Sequence, residues 1–246
     1  EEYQLISKWL DTRIYQSVGA TAFLKQTQTT DSHWHLLKLY NPNALNELLG
    51  VAVVYAGGTC FWLPEESSLA ERLCPDIFKL KPQRIMTTPF GRDLLYSTAP
   101  QHIKIIREYA QWAMTCSHSF QEASGRFAVL SDIPRLIEYQ NLYNQERSVN
   151  EVPHWEILIG QQKIAVYEKE GKIVSIVKFG IETNHVVTIG GTYTFQNYRR
   201  QGFAECLLKF LVNQIVSSGR IAYLVVDTDN KPAVKLYHRM GFKCVA

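Results

Sequence analysis

Thr192-Tyr193-Thr194-Phe195-Gln196-Asn197-Tyr198-Arg199-Arg200-Gln201-Gly202-Phe203-Ala204 runs straight into Glu205-Cys206-Leu207-Leu208-Lys209-Phe210-Leu211. Phe203, Leu207, Phe210, Leu211 and Ile215 recur at helical spacing, and Gly219 stands where a helix end favours a left-handed residue. A strand therefore ends here, a basic polar loop follows, and a helix opens near Gly202. The first turn of a helix has N–H groups without partners and a partial positive charge, so it holds a phosphate well. Gly202 lets the backbone approach closely, Ala204 keeps the rim low, and Arg199 and Arg200 add charge. These are the parts of a pyrophosphate cradle. The stretch matches neither G-x-x-x-x-G-K-[ST] nor G-x-G-x-x-G, so nucleotide hydrolysis and dinucleotide binding lose their support.

About 26 residues further on comes Asn230-Lys231-Pro232-Ala233-Val234-Lys235-Leu236-Tyr237-His238-Arg239-Met240-Gly241-Phe242. The first stretch is similar to the R/Q-x-x-G-x-G/A loop of the GCN5-related N-acetyltransferases. The second resembles that family's N-x-x-A-x-x-L-Y-x-x-x-G-F motif. Either pattern alone is modest; both in order, with a helix and a strand between them, are specific. The resemblance covers residues from about 126 to 246. Gly190-Gly191-Thr192-Tyr193-Thr194 further resembles the glycine N-acyltransferase-like and zwittermicin-resistance-like branch, some members of which carry a divergent domain in front.

The resemblance implies a central sheet that splays between its fourth and fifth strands, with acetyl-CoA in the wedge as co-substrate and no metal. Thr192, Tyr193 and Thr194 would offer backbone groups to the pantetheine amides. Arg199, Arg200, Gln201, Gly202, Phe203 and Ala204 would surround the pyrophosphate, and Asn230 and Ala233 would complete the cofactor side. Tyr237 stands where the family keeps its general acid. No motif assigns the base. Glu182, just past a strand and upstream of the loop strand, is the first choice; Glu146 and His185 rank behind it, and a water chain is the alternative. The implied activity is an N-acetyltransferase that moves an acetyl group to the primary amine of a small molecule by direct attack. The alternative is a catalytically weak, CoA-binding regulatory or sensing module. The family usually follows its Gly-Phe with a full last strand, whereas Lys243-Cys244-Val245-Ala246 leaves room for a short one.

Composition agrees with an ordinary globular chain: 246 residues, 46% hydrophobic and 20% charged. The formal charge, 26 − 23 = +3, argues against a nucleic-acid partner bound through a broad basic face. No apolar run approaches the roughly 20 residues of a membrane span. Five scattered cysteines, none spaced C-x-x-C, point to reduced thiols and a cytoplasmic setting. His33 and His35 lack an indicated third ligand, so no metal is expected. Oligomeric state is left open.

Periodicity predicts helix over the first 26 or so residues, two strands around the Gly57-Gly58 turn, and helices over Glu65–Phe78 and Pro100–Trp112. A small, polar stretch at 117–126 reads as a linker. Beyond it Asp132 can cap a helix starting near Pro134, and Ile157–Gly160, Lys163–Tyr167, Ile173–Phe179 and His185–Tyr193 read as strands. The expected fold class is α/β (α+β). Residues 126–246 would form the acetyltransferase-type domain. Residues 1–120 would form a divergent α/β domain that walls the acceptor site, with a degenerate copy of the same fold as the alternative.

Overall fold

Leu48–Tyr55 is apolar at nearly every position because both faces of its strand are covered. This strand, β2, runs antiparallel between β1 (Trp34–Tyr40) and β3 (Thr59–Pro64), and Gly57-Gly58 makes the expected β2–β3 turn. A crossover through α3 (Cys74–Lys79) brings β4 (Arg84–Met86) parallel to β3. Helices α1 (Glu2–Asp11) and α2 (Val18–Phe23) bury Ile6, Leu10 and Ala20 against Val51, Val53 and Leu63 on one face. On the other, α3 and α4 (Pro89–Thr98) bury Ile77 and Leu95 against Ala52, Val54 and Trp62. The computed structural model describes residues 2–44 and 46–246; Glu1, at the head of the expected first helix, and Leu45 lie outside the described residues. Among the described residues no helix is long and apolar enough to cross a membrane.

The chain divides into two units between Glu108 and Tyr109. The second begins with β5 (Gln111–Cys116) and β6 (Arg126–Phe127), followed by α5 (Ile133–Arg147) and α6 (Trp155–Gly160). A meander of β7 (Ile164–Lys169), β8 (Lys172–Glu182) and β9 (Val186–Thr194) leads to α7 (Phe203–Ser217) and β10 (Ile221–Asp227). Helix α8 (Lys231–Arg239) and β11 (Lys243–Cys244) complete the unit. The strands form one sheet in the order β11-β5-β10-β9-β8-β7-β6. Helix α7 covers one face through Leu207, Leu208, Leu211 and Ile215, while α5 and α6 cover the other through Leu136, Tyr139, Trp155 and Ile159.

Four expectations change. Pro100–Trp112 is not a helix: the helix lies upstream, where the Thr88 hydroxyl accepts from the Gly91 N–H at 3.2 Å and Pro89 fits the first turn. Gln111 and Trp112 instead start β5, so the 117–126 stretch falls inside the second unit and not between units. Ile157–Gly160 belongs to a helix, because Trp155 and Ile159, four apart, are buried on one face. Asp132 precedes α5 without capping it; its carboxylate accepts from the Val129 N–H at 2.9 Å and pairs with Arg126 at 2.7 Å.

Both units run through the same order: helix pair, three-stranded meander, crossover helix, parallel strand, helix. The alternative of a degenerate copy thus has a topological basis. After β3, however, the first unit places Glu65, Glu66 and Ser67 where the second places its arginines and Gly202. Two carboxylates there oppose a phosphate.

Candidate active site

Strands β9 and β10 are parallel through only three pairs: Val186 with Ile221, Val187 with Ala222, and Thr188 with Tyr223. Then they part. Strand β9 continues along β8 as far as Thr194 opposite Ser175, and β10 continues along β5 as far as Asp227 opposite Gln111. The cause is local. Tyr193 lies opposite Ile176 but Gly190 opposite Lys178, so β9 holds an extra residue at Gly191–Thr192, and a bulge bends its strand. Gly191 has φ +60°, and a Cβ there would fall 2.3 Å from the Lys178 side chain and 2.7 Å from the Tyr139 hydroxyl. Only glycine fits. The Tyr139 hydroxyl pins the bulge by donating to the Gly191 carbonyl at 2.9 Å.

Helix α7 points its first turn at the wider end of this wedge. Its hydrogen bonding starts with the Cys206 N–H on the Gly202 carbonyl at 3.1 Å, which leaves the N–H groups of Phe203, Ala204 and Glu205 without an acceptor inside the helix. Gly202 is left-handed at φ +86° and supplies no side-chain cap. A Cβ on it would meet nothing within 4 Å, and N–H groups uncapped at a helix start are donors of the kind that hold an anion. Arg200 and Gln201 are exposed at the rim.

Arg199 turns the other way. Its Nε donates to the Thr194 carbonyl at 2.9 Å, its Nη2 pairs with Glu146 at 2.6 Å, and its guanidinium lies 5.2 Å from the Tyr193 ring centre. It braces the loop instead of facing the phosphate position. Tyr193 and Thr194 likewise spend their side chains on Glu146, at 3.3 Å, and Ser175, at 3.0 Å, and the Tyr193 carbonyl accepts from the Ser175 hydroxyl at 3.0 Å. Phe203 packs on Tyr167, with ring centres 5.1 Å apart.

Asn230 caps α8: its side-chain oxygen accepts from the Ala233 N–H at 3.4 Å. Ala233 packs, partly buried, on the core beneath α7. Their direct roles are thus to fix α8, which carries Tyr237. Thr192, on the bulge of β9, acts electrostatically on the Tyr237 phenol. Burial pushes its pKa above the usual tyrosine value, partly offset by Thr192 and by Arg147. A phenol held protonated beside the bulge is placed to donate a proton.

Glu182 is not brought to this site. It lies opposite Val187, five residues before Thr192 on β9, roughly 17 Å away at strand spacing. Its carboxylate is clamped by Lys163 and, at 2.6 Å, by Arg220. His185 sits at the same far end, and Glu146 is engaged by Arg199. The structure adds instead Tyr139, Tyr143 and Arg147, spaced i, i+4, i+8 on α5, with Lys178 and Asp227. That helical spacing was readable in the sequence; its orientation toward β9 was not.

Comparison with known proteins matches residues 130–242 to the model of the Acetyltransferase (GNAT) family. No curated protein matches the chain. A GNAT-family acetyltransferase from Colwellia psychrerythraea superposes with a TM-score of 0.59 at 12% identity, covering 98% of this chain and 94% of that one. A GNAT-family protein from Novosphingobium aromaticivorans gives 0.47 at 19% identity over 59% of this chain and 64% of its own, less than two thirds of its length. A Salmonella typhimurium protein solved with acetyl-CoA gives 0.44 at 17% identity, over 51% and 82%. The second unit, with its parted strands and the open first turn of α7, is thus similar to the Acetyltransferase (GNAT) family over residues 130–242, under half of the chain.

Proposed function

We propose that the second unit is an acetyl-CoA-dependent N-acetyltransferase acting on the primary amine of a small molecule. The observation that carries this reading is the opening between β9 and β10, with the uncapped turn of α7 at one end and Tyr237 beside the bulge. Acetyl-CoA supplies the activated acyl group. The N–H groups of Phe203, Ala204 and Glu205 hold its pyrophosphate, with Arg200 at the rim, and the open edge of β9 from Ile189 to Thr194 aligns its pantetheine arm. The amine nitrogen bonds to the carbonyl carbon as the carbon–sulfur bond breaks. Tyr237 gives its proton to the departing sulfur, and the amine gives one to solvent water, which restores the phenol. All five cysteines are free thiols, which supports a cytoplasmic setting. The test is incubation of the full chain with acetyl-CoA and an amine library, read by mass spectrometry. Mass gains of one acetyl group on amines support the reading. Acetyl-CoA binding with no acetylated product would favour a regulatory CoA-binding module.

A further inference from the structure

Facing α5, the parted strands present a second set of side chains. Ala222, Leu224 and Val226 of β10 enter the core beneath α7, so by strand alternation Tyr223, Val225 and Asp227 face α5. Val225 is 39% exposed although the residues on either side of it are buried, so this floor is open. Tyr143 and Arg147 stand over it, one helical turn apart. Arg147 ends α5, Asp227 ends β10, and their charges approach to 3.9 Å, beyond hydrogen-bond reach. On the same side Lys178 and Glu151 close to 3.3 Å. Asp227 is held from behind by the Gln111 amide at 2.8 Å.

We propose that Arg147 and Asp227 are the two poles of the acceptor site, and that the acceptor is a small primary amine carrying an anionic group, a carboxylate or a phosphate, on the same skeleton. This rests on the acetyltransferase reading above. The amine is held by Asp227, at the end of the stretch of β10 that has left β9, and the anion by the planar guanidinium of Arg147. An acceptor with both charges replaces one loose ion pair with two close contacts and leaves the four charges balanced. A diamine would set a second cation against Arg147 and Lys178, a like-charge contact that selects against it.

The test is steady-state kinetics of the full chain with acetyl-CoA and three matched acceptors: a short alkylamine, the same amine bearing a carboxylate, and the same amine bearing a phosphate. One acidic amine should exceed the plain amine in kcat/KM by roughly 30-fold or more. Arg147→Gln should erase that advantage while acetyl-CoA affinity stays within about threefold, and Arg147→Lys should retain part of it. Asp227→Asn should raise KM for all three acceptors. Equal wild-type rates on plain and acidic amines, or an equal loss on both in Arg147→Gln, would overturn this assignment alone. A wild-type chain that binds no acetyl-CoA would overturn it together with the acetyltransferase reading.

Discussion

Thr192 on the bulge of β9 acts on the Tyr237 phenol of α8 and holds its pKa below the value that burial alone would give. The bulge and the helix are distant in sequence, and neither alone makes a site. Gly191 bends β9 and Asn230 starts α8.

Tyr237→Phe removes one oxygen and keeps the ring against Phe242, whose centre lies 5.6 Å away. General acid catalysis contributes roughly 10²–10⁴ in rate, so kcat should fall by about that range while acetyl-CoA affinity changes little. Titration calorimetry beside steady-state kinetics checks both. A kcat within a few-fold of wild type would place the proton donor elsewhere.

Alkaline pH should unfold the second unit through its tyrosines. Burial raises the pKa values of Tyr139, Tyr143 and Tyr237, and that of Tyr223 to about 12. Unfolded tyrosines ionise near ~10, so the folded state keeps protons that the unfolded state releases. Their contribution is complete below pH ~10 and is lost as pH climbs through the folded values. The melting temperature should stay level up to about pH 9 and drop beyond about pH 10, with phenolate absorbance rising as circular dichroism is lost. Phenolate signals that appear earlier, in the folded protein, would contradict this.

Glu182→Gln should leave kcat within about twofold, because the residue lies at the far end of the β8–β9 hairpin. It should lower the melting temperature by a few degrees, since Lys163 and Arg220 lose their shared partner. Should kcat instead drop a hundredfold at unchanged stability, Glu182 would reach the chemistry after all.

A fragment starting at Gly125 should fail to fold, whereas one starting at Tyr109 should melt cooperatively. Strand β5 fills the gap between β10 and β11, and its Met114 and Cys116 are core residues. Without it β10 becomes an open edge and β11 loses its partner. Circular dichroism melts of both fragments decide the matter; a cooperative melt of the shorter one would show that β5 is dispensable.

Much of the second unit was legible because its signals are local. Phe203, Leu207, Phe210 and Leu211 mark α7 by period, and Gly202 marks its start by lacking a side chain. Asn230 marks the cap of α8. What was hidden depends on pairing across distance. Nothing in Gln111–Cys116 says that it will lie between β10 and β11, and the short β11 makes sense only once β5 is beside it. Glu182 looked near the site because it is close in sequence to β9, yet an antiparallel turn carries it to the opposite end. The apolar run Ile157–Gly160 is too short for period to separate strand from helix. Arg199 and Arg200 are adjacent letters, and nothing local says that Arg199 will be taken up by Glu146 on α5.

The proposed function requires acetyl-CoA in the wedge with its pyrophosphate on the first turn of α7. Titration calorimetry of acetyl-CoA into the wild-type chain and into Gly202→Asp tests it most directly. The substitution puts a carboxylate into the open space before the Phe203, Ala204 and Glu205 N–H groups. One site per chain is expected in the wild type, and a loss of affinity of about a hundredfold or more in a variant with unchanged circular dichroism. No binding by the wild type, or undiminished binding by the folded variant, would contradict it.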